Sequence, residues 1–321
     1  MNKSRFKPST WITNSFTDKL ISLAIKRKDI VLLDADLSDD ANLKKFFKIF
    51  PKRSIQNGIA EQDMVSMAGG IALSRKLLPF VNSFASFLTA RANEQIYNNA
   101  TEKTRIIYIC LYAGLFPAGA GKSHQSLRDI SVLSAIPNME IFHPSDYMQV
   151  QDVLDYCVYK SKKNCAIRLS IGPPPSNILD LKYNKFKIKK GNVVSNGSRV
   201  CLFTYGQTML SEAIKLKKEL IKTRINLKII NMPNINLFDF YWLKKNLINI
   251  KYIFYLEDHM TVGGMGDLLT SFLIKNNLLK NKKIFNLSLN TFPKCGTQEE
   301  VLKYHKLDFK SLNKRILSIL K

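Results

Sequence analysis

Short aliphatic and β-branched runs alternate with segments of helical period along most of the chain, and this alternation restricts the fold to a parallel α/β architecture. IVLLDADL (30–37), LLPFVNSF (77–84) and RIIYICLYA (105–113) read as buried strands, the first with an acidic exit and the last entering a Gly-rich loop. The segments 12–27, 59–74 and 87–101 read as helices. In the first, Ile12, Phe16, Leu20, Leu23 and Ala24 share a face, and in the second Met64, Met67, Ala68, Ile71 and Ala72 do. Strands separated by helices of this length form βαβ units. A second set follows, with strands predicted over 200–206, 225–232 and 252–258 and helices over 208–222 and 263–277. GPPPSNILDLKYNKFKIKKG (172–191) separates the two sets, and its successive prolines favour an extended connector. The expectation is two domains, 1–180 and 188–321, each a mainly parallel sheet flanked by helices.

At 321 residues and 45% hydrophobic content the chain has ample material for two packed cores, which excludes disorder as its main state. The net charge of +24 raises nucleic acid as a partner. Phosphate and base readers favour the fixed fork of Arg, however, and 38 of the 49 basic residues are Lys. Most of the excess, +17, falls after residue 180, away from the motifs described next. It reads as a solvated Lys-rich surface, with no nucleic-acid partner expected. The five cysteines form no CxxC pair and the four His offer no zinc spacing, so buried, reduced thiols and no metal site within the chain are expected. The longest apolar stretch, Ile106 to Phe116, is too short to span a bilayer, and no apolar run follows the basic N-terminus. A cytoplasmic protein without membrane contact is the expectation.

Three local features are read as following predicted strands at their carboxyl ends, the edge where open α/β sheets bind ligands. NGIAEQ (57–62) puts Glu61 in the first turn of a helix. A lone Glu there usually complements the helix dipole and nothing more. SFASF (83–87) puts Phe84 and Phe87 three apart at a strand-to-helix turn, a spacing that usually serves the core. GAGKSHQS (119–126) surrounds His124 with glycines that permit close approach of a ligand.

DADL (34–37), NGIAEQDM (57–64), SFASFLTARANEQI (83–96), GKSHQSLRDISVLSAIPNM (121–139) and PSD (144–146), in this order, resemble the pyrimidine-binding domain of the transketolase family. YGQTMLSEA (205–213) and LEDHMTVGGMGD (256–267) resemble that family's C-terminal domain. The resemblance implies thiamine diphosphate as cofactor and transfer of a two-carbon ketol unit from a ketose to an aldehyde. By the same resemblance, Glu61 matches the Glu that hydrogen-bonds the aminopyrimidine ring, a role suited to a carboxyl in an apolar interface. Phe84 and Phe87 match the aromatic wall against that ring, Asp36 an acidic residue near the cofactor across a dimer interface, and His124 a substrate-facing His. Arg91, on the helix after the wall, is expected to form a structural salt bridge. The family's Gly-Asp-Gly motif, which holds the diphosphate through a divalent metal, is missing: Gly266-Asp267 is followed by Leu268. The chain therefore resembles the C-terminal half of a split enzyme. The resemblance then implies a partner subunit that carries the diphosphate and Mg2+ or a similar ion, in a heterotetramer self-associated across the dimer interface.

Positions that select sugar phosphates in the family differ here. Ala120 stands where an Asp contacts a substrate hydroxyl, Ile171 where an Arg binds phosphate (with Arg168 a nearby candidate), and Asp40 where a Ser binds phosphate. These departures imply a specialised sugar substrate without the usual terminal phosphate recognition, such as a modified or nucleotide-linked sugar. Other readings stand beside this one: the beta subunit of a 2-oxo acid dehydrogenase first component, a 1-deoxyxylulose 5-phosphate synthase-like enzyme, and a non-catalytic regulatory subunit.

Overall fold

The computed structural model describes residues 10–182 and 184–320. Six strands form the first sheet: β1 (Ile30–Asp34), β2 (Ser54–Gln56), β3 (Leu78–Phe84), β4 (Ile107–Leu111), β5 (Met139–Phe142) and β6 (Asn164–Leu169). Their order is β2-β1-β3-β4-β6-β5 and every pairing is parallel. Helices cover both faces, so β1, β3, β4 and β6 are buried along their whole length and read as near-continuous apolar runs. The helices of this half are α1 (Ile12–Lys26), α2 (Lys44–Ile49), α3 (Glu61–Leu73), α4 (Ala85–Arg91), α5 (Asn93–Thr101), α6 (Asp129–Ser134), α7 (Tyr147–Tyr159) and α8 (Ser176–Leu179). Ile30 and Leu32 of β1 face α1 and α7, while Val31 and Leu33 face α3 and α4, as the period of two in a strand requires.

The second sheet comprises β7 (Asn192–Ser195), β8 (Val200–Thr204), β9 (Leu227–Asn231), β10 (Tyr252–Met260) and β11 (Lys283–Leu289), in the order β11-β10-β8-β9-β7. Only β7 runs antiparallel to its neighbour. With it go α9 (Gln207–Lys222), α10 (Phe240–Asn246), α11 (Met265–Lys275), α12 (Gln298–Tyr304) and α13 (Phe309–Leu320). One apolar cluster runs through both halves, joining Tyr108 and Ile141 to Tyr205, Ile230 and Tyr255. Backbone bonds stitch the same seam. The His143 N–H donates to Pro233 O (2.9 Å), that of Ile235 to Ile141 O (2.9 Å) and that of Met260 to Leu127 O (3.0 Å).

The expected helix 87–101 is two helices, α4 and α5, broken at Ala92, where the backbone leaves helical angles (φ −103°, ψ 19°). The first of them begins at Ala85, directly after Phe84. Cys110, Cys157, Cys165 and Cys201 are buried as expected, but Cys295 is exposed. No helix among the described residues is long and apolar enough to cross a membrane.

Candidate active site

The carboxyl edge of β1, β2 and β3 is organised by one buried carboxylate. Asp34, the last residue of β1, accepts from Asn82 Nδ2 (2.6 Å), Gln56 Nε2 (2.9 Å) and the Leu37 N–H (3.0 Å). Burial pushes its pKa above the ordinary carboxylate range, and the donors oppose that shift. The chain then turns sharply: Asp36 has φ +61°, donates its N–H to Gln56 Oε1 (2.9 Å) and exposes its side chain.

Glu61 begins α3 and is 2% exposed. Its surroundings differ from the apolar interface expected for it. The Ser83 hydroxyl, at the end of β3, donates to Oε1 (3.1 Å), and Arg91 Nη1, from the end of α4, lies 3.0 Å from Oε1 and 2.9 Å from Oε2. Carboxylates are almost never fully buried unless paired, and Arg91 is the pair. The salt bridge expected of Arg91 therefore exists, and its partner is the candidate cofactor carboxylate itself. Arg91 remains 44% exposed, and its guanidinium carbon stands 3.8 Å from the centre of the Phe87 ring.

Aromatic rings continue the site. Phe84 stacks on Tyr112 at 4.2 Å between centroids and meets Phe87 at 5.3 Å. The His124 imidazole abuts Phe84 (5.4 Å) and Phe87 (5.1 Å), and its Nδ1 lies 3.1 Å from Ser123 Oγ. Tyr112 leaves β4 at φ +54° and donates its hydroxyl to Asp40 Oδ1 (2.7 Å). Burial first, then that carboxylate, raises the phenol's pKa. Glu61, Phe84, Phe87 and His124 thus form one run of contacts bridged by Arg91. Asp36 lies at the same sheet edge, tied to it through Gln56 and Asp34. Beside Glu61 and Arg91 opens a cavity of about 810 Å³, also lined by Ile59, Gln62, Asp63 and Ala90. Sequence reasoning missed Ser83 and Tyr112, for which neighbouring motif residues were the only signal.

It also missed a buried ionic cluster behind the His124 loop. Arg168 (β6) and Asp129 (first residue of α6) are both fully buried, with Nε 2.7 Å from Oδ2 and Nη2 3.2 Å from Oδ1. Arg168 Nη1 donates to His143 Nδ1 (2.6 Å), and burial drives the pKa of that imidazole down. From β10 come His259, whose Nε2 is 3.8 Å from Asp129 Oδ1, and Asp258, which accepts the Leu115 N–H (3.3 Å). Burial lowers the pKa of His259 to about 4 and raises that of Asp258 to about 6. Glu257 accepts from the N–H groups of Met265 (2.7 Å) and Gly266 (2.9 Å) and from the Tyr205 hydroxyl (3.1 Å), and burial raises it to about 7. Gly114 sits at φ +90°, and a Cβ there would fall 2.1 Å from Asp258 Oδ2. The second half of the chain therefore grips both the start and the end of the loop that presents His124. Arg168, a candidate for substrate phosphate on sequence, is instead fully enclosed and committed to Asp129. A charge inside the apolar run NCAIRL was the readable sign of such a pair. Among the described residues no group of three or more His, Cys, Asp or Glu is placed to hold a metal.

Residues 9–172 match the family model of the transketolase pyrimidine-binding domain, and residues 189–312 that of the transketolase C-terminal domain. The chain belongs to the transketolase family. It is 32% identical to a protein of Methanocaldococcus jannaschii assigned as a transketolase C-terminal section, over 95% of both chains. It is 26% identical to one subunit of the apulose-4-phosphate transketolase of Actinobacillus succinogenes, over 96% of this chain and 98% of that one. A 1-deoxy-D-xylulose-5-phosphate synthase of Clostridium kluyveri is also 26% identical, but the match spans only 48% of that enzyme. Among solved structures, a split-gene transketolase in an inactive β4 tetramer shares the fold, with a TM-score of 0.84 at 24% identity over 96% of this chain and 97% of that one. This transketolase-family chain thus corresponds along nearly its whole length to the C-terminal section of a transketolase, and the family implies thiamine diphosphate.

Proposed function

We propose that the protein is the C-terminal subunit of a split, thiamine diphosphate-dependent transketolase that moves a two-carbon ketol unit from a ketose to an aldehyde. The observation that carries this reading is the buried carboxylate of Glu61 set beside Phe84, Phe87 and His124 at the carboxyl edge of the first sheet. These residues fit the aminopyrimidine half of the cofactor. Aromatic rings reach the buried carboxylate through Arg91, and an open cavity adjoins it. Nothing in the sequence fits the other half, since it has no Gly-Asp-Gly and the described residues have no metal-binding group. A partner subunit supplies diphosphate and divalent-ion binding, and two of each chain complete the assembly. The reading keeps domain limits of 1–180 and 188–321, and the family matches fall within them at 9–172 and 189–312.

When bound, the cofactor supplies a carbanion at its thiazolium ring. Glu61 holds the hydrogen-bonded proton at the ring nitrogen of the pyrimidine. Phe84 and Phe87 orient that ring and exclude water from it. Asp36, exposed on its turn, meets the cofactor across the dimer interface. His124 faces the substrate and hydrogen-bonds its oxygen, held in place by the loop that Asp258 and Asp129 anchor. The enclosure of Arg168 and the exposed Asp40 carboxylate support a substrate whose terminal phosphate is not read at these positions, because a carboxylate repels phosphate.

The test is reconstitution with a chain that contains Gly-Asp-Gly. The proposal expects ketol transfer only from the pair, and inefficient turnover of xylulose 5-phosphate with ribose 5-phosphate. Pyruvate decarboxylation by the pair, with no ketol transfer, would instead favour the synthase-like or 2-oxo acid dehydrogenase readings. The shared stretch with 1-deoxy-D-xylulose-5-phosphate synthases keeps the first of these in play.

A further inference from the structure

Arg91 does more than neutralise Glu61. Its guanidinium is planar, its carbon lies 3.8 Å from the centre of the Phe87 ring, and Nη1 alone donates to both oxygens of the buried carboxylate. A planar, nitrogen-bearing π-system that faces an aromatic ring and hydrogen-bonds Glu61 is also the description of the aminopyrimidine that the proposed function puts here. We infer that Arg91 is a stand-in for the cofactor ring, occupying its place against Phe87 and Glu61 until the cofactor enters.

The inference rests on that functional reading, and three observations support it. Glu61 is 2% exposed, so its charge would be costly without a partner while the ring site is empty. Arg91 bonds both oxygens of Glu61 and lies against the Phe87 ring, so a ring that packs on Phe87 and bonds Glu61 meets Arg91 first. Arg91 ends α4 and is 44% exposed beside the open cavity, so its side chain can withdraw without unpacking the core. Uptake of the ring then requires the ion pair to open. Apparent affinity falls by the fraction of molecules in which it is open.

The probe is thiamine, which carries the aminopyrimidine without the diphosphate, titrated by calorimetry into the full chain reconstituted with its Gly-Asp-Gly partner. Arg91→Ala is expected to bind thiamine about tenfold more tightly than the native chain. Arg91→Lys keeps the charge but loses the planar face, and is expected to fall between the two. This second variant keeps the test decisive if the alanine form does not fold. Glu61→Ala is expected to weaken binding in either background. Thiamine binding that depends on Glu61 but is unchanged or weakened by both Arg91 variants would overturn the stand-in role and leave the cofactor site standing. Absence of any Glu61-dependent binding in native and variant chains alike would overturn the cofactor site, and the stand-in role with it.

Discussion

Replacing Arg168 with Met tests the claim that a buried ion pair between β6 and α6 holds the structure behind the His124 loop. Both Arg168 and Asp129 have fully buried side chains, and two of the guanidinium nitrogens, Nε and Nη2, bond the carboxylate at 2.7 and 3.2 Å. Met fills much of the volume but removes the charge. Asp129 is then left with His259 at 3.8 Å as the nearest cationic candidate, and burial holds that imidazole neutral at pH 7. Breaking a buried pair from one side costs about 3–5 kcal/mol, because the survivor is an uncompensated charge. Replacing both partners with uncharged residues costs far less. Urea unfolding at pH 7 is the assay. Arg168→Met is expected to lower stability by about 3–5 kcal/mol, and Arg168→Met combined with Asp129→Asn is expected to recover at least about 2 kcal/mol of that loss. A single-variant loss under about 1 kcal/mol, with the two substitutions simply additive, would refute the reasoning.

Three further outcomes follow from the same geometry. Gly114→Ala is expected to destabilise by about 1–3 kcal/mol, because φ is +90° and the new Cβ would strike the Asp258 carboxyl; a neutral result in thermal unfolding would contradict the close approach. His259 has a folded pKa of about 4, below its unfolded value near 6.5, so its stabilising contribution is complete above about pH 6.5 and is lost as pH falls toward 4. His259→Gln is expected to flatten that part of the stability–pH curve, and an unchanged slope would remove His259 as its source. Asp258 runs the other way. Its folded pKa of about 6 lies above the unfolded one near 3.9, so its contribution is present below about pH 4 and lost as pH rises through 6. Asp258→Asn is expected to remove that decline, as read by urea midpoints across the range.

Half of the first sheet was legible, because β1, β3 and β4 are buried along their length and announce themselves as apolar runs. IVLLD and IYICL needed no context to be recognised. β6 was hidden by Arg168, whose charge reads as a strand-breaker until Asp129 is placed beside it. β11 was hidden by its half-exposed face and its leading Lys283. The break at Ala92 was also invisible, since ARANEQI continues a helical pattern. At the site, the residue types of Glu61, Phe84, Phe87 and His124 were readable from motif and spacing, and the structure brings them together. Their electrostatics were not readable. Whether Glu61 is met by apolar atoms or by Arg91, thirty residues away, is decided by how α4 leaves β3, and no local pattern encodes that.

The account's central claim is that Glu61 is the carboxylate through which this chain engages the cofactor. The direct measurement is ketol transfer by the reconstituted pair carrying Glu61→Ala, alongside gel filtration to check assembly. The account predicts an intact complex whose activity falls by at least about a hundredfold, the scale of one positioned proton-transfer group. An assembled complex that retains native activity would contradict it.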